Sequence, residues 1–282
     1  MELLIDHETV YRYGDSVSES YTVVHLQPRN DPRQYCTRYD LGISPPGPIY
    51  SYRDRYGNDV QHFAVVPEHE ELRIVARSRV VTVPGNGMTV PHGVSLAHIE
   101  ADPYVPDLYD FRHASPYVAL GDVRPLLERV VAPPGDLAAY FMAAGRYVHD
   151  TFAYVPGSTT VATTVAEAVA ASEGVCQDFA HVLIALARAR GIPTRYASGY
   201  IFRGSEATVG AEASHAWAEA YLPPYGWVGF DPTNDRLVDD AFVLVAVGRD
   251  YGDVSPTRGL YRGRSLATLD VNVSVDAASF DQ

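Results

Sequence analysis

The stretch Gly174-Val-Cys-Gln-Asp-Phe-Ala-His-Val-Leu-Ile-Ala-Leu-Ala-Arg-Ala-Arg-Gly191-Ile-Pro193 decides how the rest of the chain is read. Phe179, Val182, Leu183, Leu186 and Ala187 recur at i, i+3, i+4, i+7 and i+8, which is one face of an α-helix. Gly191 is a helix stop, and Pro193 forbids continuation. The helix therefore begins at or just before Cys176. A helix tip presents free N–H groups and partial positive charge. Both favour a thiolate, and the same N–H groups can bind an oxyanion. Burial as an inert core residue is the ordinary fate of a lone cysteine. The position of Cys176 after a glycine, at a helix start, makes a reactive thiol an equal competitor.

Working outward, Leu137, Tyr140, Phe141, Ala144 and Val148 keep helical period, with Asp136 as N-cap after Pro133-Pro134-Gly135. Thr164-Val-Ala-Glu167 has capping-box spacing and opens a short helix ending near Glu173-Gly174. Downstream, strands are expected at 195–202, 214–222 and 227–231, the last two joined around Pro223-Pro224-Tyr225-Gly226. Helices followed by antiparallel strands indicate an α+β domain. The first 83 residues read instead as strands near 2–13, 18–28, 34–43, 49–66 and 70–83, an antiparallel β-sandwich-like domain. Residues 84–135 are rich in Pro and Gly and form an irregular connector with one short helix near 122–131. The core spans 136–264. In 265–282, Leu269, Val271, Val273 and Val275 alternate with polar residues as a one-sided strand that can join either sheet.

Composition narrows the function classes. The 282 residues are 46% hydrophobic, which suits a globular chain with a sizeable core. Lys and Arg number 22 against 35 Asp and Glu, a formal net charge of −13, so phosphate backbones and anionic lipid are poor partners. No apolar run is long enough to span a bilayer, and the N-terminus does not read as a signal peptide. Two cysteines, Cys36 and Cys176, make no disulfide framework, so a reducing, cytoplasmic setting is expected. Cys36 lies in a strand and reads as inert. Nothing in the sequence specifies an oligomeric state.

Two further residues share a hairpin with chemical potential. His215, Trp217 and Glu219 lie on one face of an expected strand, and Asp231 ends the next one. A hairpin that closes with Tyr221 opposite Trp227 makes His215 and Asp231 diagonal neighbours, with Cβ atoms about 7–8 Å apart. Closing with Leu222 opposite Trp227 puts them on opposite faces. A Cys–His–Asp set allows the histidine to take and return the thiol proton while the carboxylate fixes the imidazole. Spacing alone is weak support, since such partners meet in space and not along the chain.

The blocks around these residues carry more. Gly174-Val-Cys-Gln-Asp-Phe-Ala-His181, Gly191-Ile-Pro-Thr-Arg-Tyr196, Ser198-Gly-Tyr200, His215-Ala-Trp-Ala-Glu219 and Gly226-Trp-Val-Gly-Phe-Asp-Pro-Thr233 resemble, in order, the bacterial transglutaminase-like superfamily. Residues 1–83 are similar to the β-rich region that often precedes this core. The resemblance implies a papain-like α+β core with Cys176 as nucleophile, His215 as base and acid and Asp231 as orienter. It implies acyl transfer at an amide of a peptide or protein through a thioester, with no cofactor. Water as acceptor gives a peptidase or amidase, and bacterial members are often called cysteine proteases by inference. An amine acceptor gives a transamidase or ligase. A binding module that kept the fold without turnover is the third reading, against which the intact set argues.

The same resemblance places an oxyanion site at the Cys176 N–H, helped by an upstream aromatic donor, for which Tyr154 is the candidate, or by Gln177. Core packing and a solvent-facing first turn are the bland readings of these two. Asp178 reads as a first-turn acid that complements the helix dipole. Trp217 and Trp227 wall either the cleft or the core, and the sequence does not separate the two. Further walls are expected from the connector, from 203–213 and from 248–264. Arg203, Arg249, Arg258, Arg262 and Arg264 read mainly as surface. Asp231, Asp235, Asp239 and Asp240 cluster without EF-hand spacing and read as an acidic loop, so no metal is expected.

Overall fold

The computed structural model describes residues 1–84, 90–202, 204, 214–264 and 266–278. Five strands come first: β1 (Glu2–Val24), β2 (Gln34–Ser44), β3 (Ile49–Arg53), β4 (Asp59–Val65) and β5 (His69–Thr82). The segments expected at 2–13 and 18–28 are one strand, β1. Its ladder slips between Arg12 and Val17 and again between Ser18 and Tyr21, so Tyr13-Gly14-Asp15 is a bend and not a hairpin. Before the bend β1 pairs with β5, and after it with β4. The two halves of the antiparallel sheet curl over a core of Tyr13, Val17, Leu26, Phe63, Leu72 and Ile74.

The connector carries α1 (Leu96–Ala101), capped by Ser95, and a 3-10 turn at 105–111. The helix expected near 122–131 shrinks to three 3-10 residues, 124–126, whose middle residue is Pro125. Proline can open a turn but removes a donor from any longer helix. Next come α2 (Leu137–Thr151), β6 (Ala153–Tyr154), α3 (Val165–Ala171), β7 (Glu173–Gly174) and α4 (Cys176–Ala189). Asp136 accepts from the Ala138 and Ala139 N–H groups, and Thr164 and Glu167 form the expected capping box. Gly191, at φ +82°, ends the α4 region in the left-handed conformation that glycine tolerates.

Then follow β8 (Thr194–Ile201), β9 (His215–Leu222), β10 (Gly226–Asp231), β11 (Arg236–Leu237), β12 (Phe242–Gly248), α5 (Tyr251–Val254), β13 (Thr257–Arg262) and β14 (Ala267–Ala277). The second sheet runs β11-β10-β9-β8-β12. Ala216, Ala218 and Ala220 on one face of β9 join the core around α4, and Trp217 on the other face joins a core with Phe242 and Leu244. The fold is therefore α+β, with an antiparallel β domain ahead of a mixed core.

Two further placements differ from the sequence reading. β12 was unassigned; all seven of its residues are buried, and a short continuous apolar run has no alternation to betray it. β13 lies wholly within the expected core and within the 248–264 segment expected to wall the cleft. It pairs with β1, as β14 does, so the chain returns to the first sheet to finish. Two asparagine-like side chains of the first domain seal the free edge of β12. Gln34 donates to the Leu244 carbonyl at 2.8 Å and accepts from its N–H at 2.7 Å. Asn58 does the same at Val247, at 2.8 and 2.9 Å. Sealing an edge removes a template for strand addition.

Candidate active site

The β9–β10 hairpin closes with Tyr221 opposite Trp227 and Leu222 opposite Gly226. This is the register that places His215 and Asp231 on one face. The two meet: His215 Nε2 and Asp231 Oδ2 are 2.8 Å apart, and both side chains are fully buried. Asp231 is itself held. Its Oδ1 accepts from the Thr233 N–H at 2.8 Å, and its Oδ2 from Asn234 Nδ2 at 2.7 Å. The first bond is an Asx-turn, which the Asp-Pro-Thr-Asn sequence favours. Asn234 was not singled out in the sequence, because a turn asparagine carries no mark of the carboxylate it serves.

Cys176 is the first residue of α4 and is half-buried. His215 Nδ1, the ring nitrogen Asp231 leaves over, is buried without a partner of strict hydrogen-bond geometry. The Cys176 side chain is close enough to bias the ring's protonation. Burial alone would lower the imidazole pKa. The Asp231 charge and hydrogen bond, aided by Cys176, outweigh burial and raise it. Burial likewise works to raise the Asp231 pKa, and the His215 charge and the hydrogen bonds bring it below the ordinary carboxylate value. Both shifts favour the imidazolium–carboxylate form of the pair.

The helix that begins at Cys176 is fixed at its tip. β6 and β7 pair in parallel, with Tyr154 beside Gly174, and the Val155 N–H donates to the Gly174 carbonyl at 3.0 Å. Tyr154 is half-buried. Burial first, then the charges of Cys176 and Asp231, push its phenol pKa up to about 12. Gln177 does not face solvent: it is buried and donates from Nε2 to the Val161 carbonyl at 3.2 Å. Asp178 is buried as well. It accepts from the Val175 N–H at 2.8 Å and from Thr159 Oγ1 at 2.7 Å, and burial raises its pKa.

Of the two readings open to the tryptophans, Trp217 takes the core. Trp217 has no exposed surface. It packs edge-on against Phe242 with ring centroids 5.3 Å apart, and lies behind His215 as core. Trp227 starts β10, four residues from Asp231 and so roughly 13 Å along the strand. Its ring is covered by the Arg195 guanidinium, 4.0 Å from its centroid. Glu219, on the His215 face of β9, is a buried carboxylate held by Arg195 at 2.6 Å and by Arg33 of the first domain at 2.9 Å.

The remaining candidates are dispersed. Cys36 sits at a bulge in β2, where burial raises its pKa and its thiol donates to the Arg38 carbonyl at 3.2 Å. Asp235 pairs with Arg146, and Asp239 with Arg236. Arg249 pairs with Asp253 and Arg262 with Glu19. Arg203 and nearly all of the 203–213 segment lie outside the described residues. Among the described residues no group of three or more His, Cys, Asp or Glu is placed to hold a metal ion, and no helix is long and apolar enough to cross a membrane.

Known proteins resemble this chain at both levels. The model of the transglutaminase-like superfamily matches residues 124–232, and that of the bacterial transglutaminase-like N-terminal region matches residues 3–81. An uncharacterized protein of Mycobacterium tuberculosis is 36% identical over 98% of this chain and 92% of its own length. The protein-glutamine gamma-glutamyltransferase of Pseudomonas aeruginosa is 30% identical over 49% of this chain and 22% of its own length. The solved structure of a "Putative Cysteine Protease" from Cytophaga hutchinsonii shares the fold, with a TM-score of 0.78 at 23% identity over 99% of this chain and 92% of that one. This chain belongs to the transglutaminase-like superfamily and carries the bacterial transglutaminase-like N-terminal region ahead of its core.

Proposed function

We propose that the protein is a cysteine-dependent acyl-transfer enzyme acting on amide bonds, and that its main reaction is hydrolysis of a peptide or isopeptide. The observation that carries this reading is the buried His215–Asp231 bond, 2.8 Å long, with the Cys176 side chain biasing the same imidazole.

In the first half-reaction Cys176 passes its thiol proton to His215 and its Sγ attacks the amide carbonyl carbon. A C–S bond forms, and the carbonyl oxygen becomes an oxyanion facing the first N–H groups of α4, which have no intrahelical partner. His215, protonated, passes its proton to the departing nitrogen as the C–N bond breaks, leaving a thioester. Asp231 keeps the ring in one orientation and stabilises its cationic form. In the second half-reaction His215 takes a proton from water, the oxygen attacks the thioester carbon, the C–S bond breaks, and the sulfur leaves and regains the proton from His215 as the carboxylic acid is released. The phenol of Tyr154 stays a neutral donor over the ordinary pH range, which fits it to share the oxyanion.

An amine in place of water gives transamidation on the same groups. The similarity to a protein-glutamine gamma-glutamyltransferase over half of the chain favours keeping this reading beside the first. The test is to incubate the wild type and Cys176→Ala with a peptide and isopeptide library, with and without a primary amine, and read products by mass. Hydrolysis products from the wild type alone support the first reading, and amine adducts the second. Equal turnover by Cys176→Ala rejects both.

A further inference from the structure

Asp178, two residues beyond the nucleophile, is 2% exposed. A surface acid that merely complements the helix dipole would lie in water, so its burial calls for a reason. Its Oδ2 collects two donors from different segments. One is the N–H of Val175, the residue before Cys176. The other is the hydroxyl of Thr159, in the loop between β6 and α3. Gly174 makes the approach possible: a Cβ there would lie 2.7 Å from both Cβ and Oδ2 of Asp178. The loop is gripped a second time where Gln177 donates to the Val161 carbonyl. Each residue flanking Cys176 is therefore tied down, and Cys176 is the unit they hold between them.

These ties select which amide is open. The Val175 N–H is consumed by Asp178, so the next amide, that of Cys176, is the first one at the helix tip left to face a developing oxyanion. We propose that Asp178 is a positioning residue for acyl transfer, which, through Val175 and Thr159, sets the direction of the Cys176 N–H and Sγ toward the substrate carbonyl. This inference rests on the acyl-transfer reading above and deepens it. Misplacement of a catalytic group by about 1 Å can cost on the order of 100-fold in rate, which is the size of effect such a clamp can control.

The test uses the full chain and two probes of the same sulfur. p-Nitrophenyl acetate acylates a thiol: the S–C bond forms, the C–O bond breaks, p-nitrophenolate leaves, and the thiol proton goes to solvent through His215. This step needs the oxyanion site. Iodoacetamide alkylates the thiol by displacing iodide and needs no oxyanion site. Asp178→Ala and Thr159→Val are expected to slow acylation of Cys176 by about 10-fold or more, against less than about 3-fold for alkylation. Asp178→Asn keeps an acceptor for Val175 and is expected to restore acylation with an unchanged pH profile. Melting temperatures are recorded in parallel, and Thr159→Val, which removes one partner of Oδ2 while Asp178 stays in place, keeps the test open if Asp178→Ala fails to fold. Acylation unaffected in Thr159→Val, or acylation and alkylation falling together in step with stability, overturns the inference while leaving the acyl-transfer reading intact. A wild-type Cys176 that p-nitrophenyl acetate never acylates removes that reading and this inference together.

Discussion

At the scale of single residues, charge placement governs what the site does. Asp231→Asn keeps the shape of the hairpin and removes the charge that holds the imidazolium. It is expected to lower turnover by about 100-fold or more, the usual worth of a correctly held acid and base, measured as kcat on whichever amide the library yields. The same pair makes a pH signature. His215 has its pKa raised above the ordinary 6.5, so its contribution to stability is full below that value and is lost as pH rises through the folded-state pKa. Asp231 has its pKa lowered from 3.8, so its contribution is full above that value and is lost as pH falls. The difference in melting temperature between the wild type and Asp231→Asn should therefore be greatest between pH 4 and 6.5 and shrink on both sides. A difference that grows steadily toward alkaline pH would contradict the ion pair. Cys176, His215 and Asp231 stand out in the sequence as candidates because each lies in a distinctive block, and the structure brings His215 and Asp231 together. Asn234 and the burial of Asp178 and Gln177 do not stand out, because the partners that explain them are set by the fold.

At the scale of elements, a three-residue connection settles the site. Leu222 pairs with Gly226, leaving Pro223, Pro224 and Tyr225 between the strands, and that odd count puts His215 and Asp231 on one face. The sequence posed this as a condition and the structure meets it. Close approach between elements is equally decisive at Gly199 in β8, where a Cβ would sit 1.9 Å from the Val243 carbonyl and 2.8 Å from the Trp217 ring. Gly199→Ala is expected to cost about 3 kcal/mol by overpacking. Thr164→Ala, which removes only the cap of α3, should cost about 1 kcal/mol and leave thiol alkylation unchanged. Urea unfolding of both variants checks the ranking, and equal losses would contradict it. Capped, amphipathic helices were read correctly because their signals are local. β12 escapes the sequence reading because a strand buried on both faces looks like any short apolar run, and the sequence leaves Trp217 and Trp227 between cleft and core because aromatic residues suit both alike.

At the scale of the molecule, polar contacts join the first domain to the core. Glu219 is buried with Arg195 and with Arg33, and the guanidinium charges outweigh burial to lower its pKa from 4.5. Its contribution to stability is present above that ordinary value and is lost as pH falls. Glu219→Gln leaves the buried Arg195 guanidinium without a carboxylate, while Arg33 keeps Asp31, and is expected to cost about 3–5 kcal/mol near neutrality, with the difference from wild type narrowing in acid. Gln34→Ala leaves the Leu244 N–H of β12 unpaired while its carbonyl keeps the Arg29 N–H, and Asn58→Ala leaves both the N–H and the carbonyl of Val247 unpaired; each should cost about 1–3 kcal/mol. Guanidinium chloride curves test these losses, and stability unchanged in all three would mean the domains are independent. The return of β13 and β14 to β1 ties the chain's last strands to its first. One alternating strand at 269–275 was legible, but which sheet it joins depends on register with β1, and that information lies some 260 residues upstream.

The most direct measurement is rapid-quench mass spectrometry of the full-length protein mixed with p-nitrophenyl acetate, followed by peptide mapping. The account predicts an acetyl adduct on the peptide containing Cys176, absent from the one containing Cys36, and formed much more slowly in His215→Ala. An adduct on Cys36 with Cys176 unmodified, or equal rates with and without His215, would contradict it.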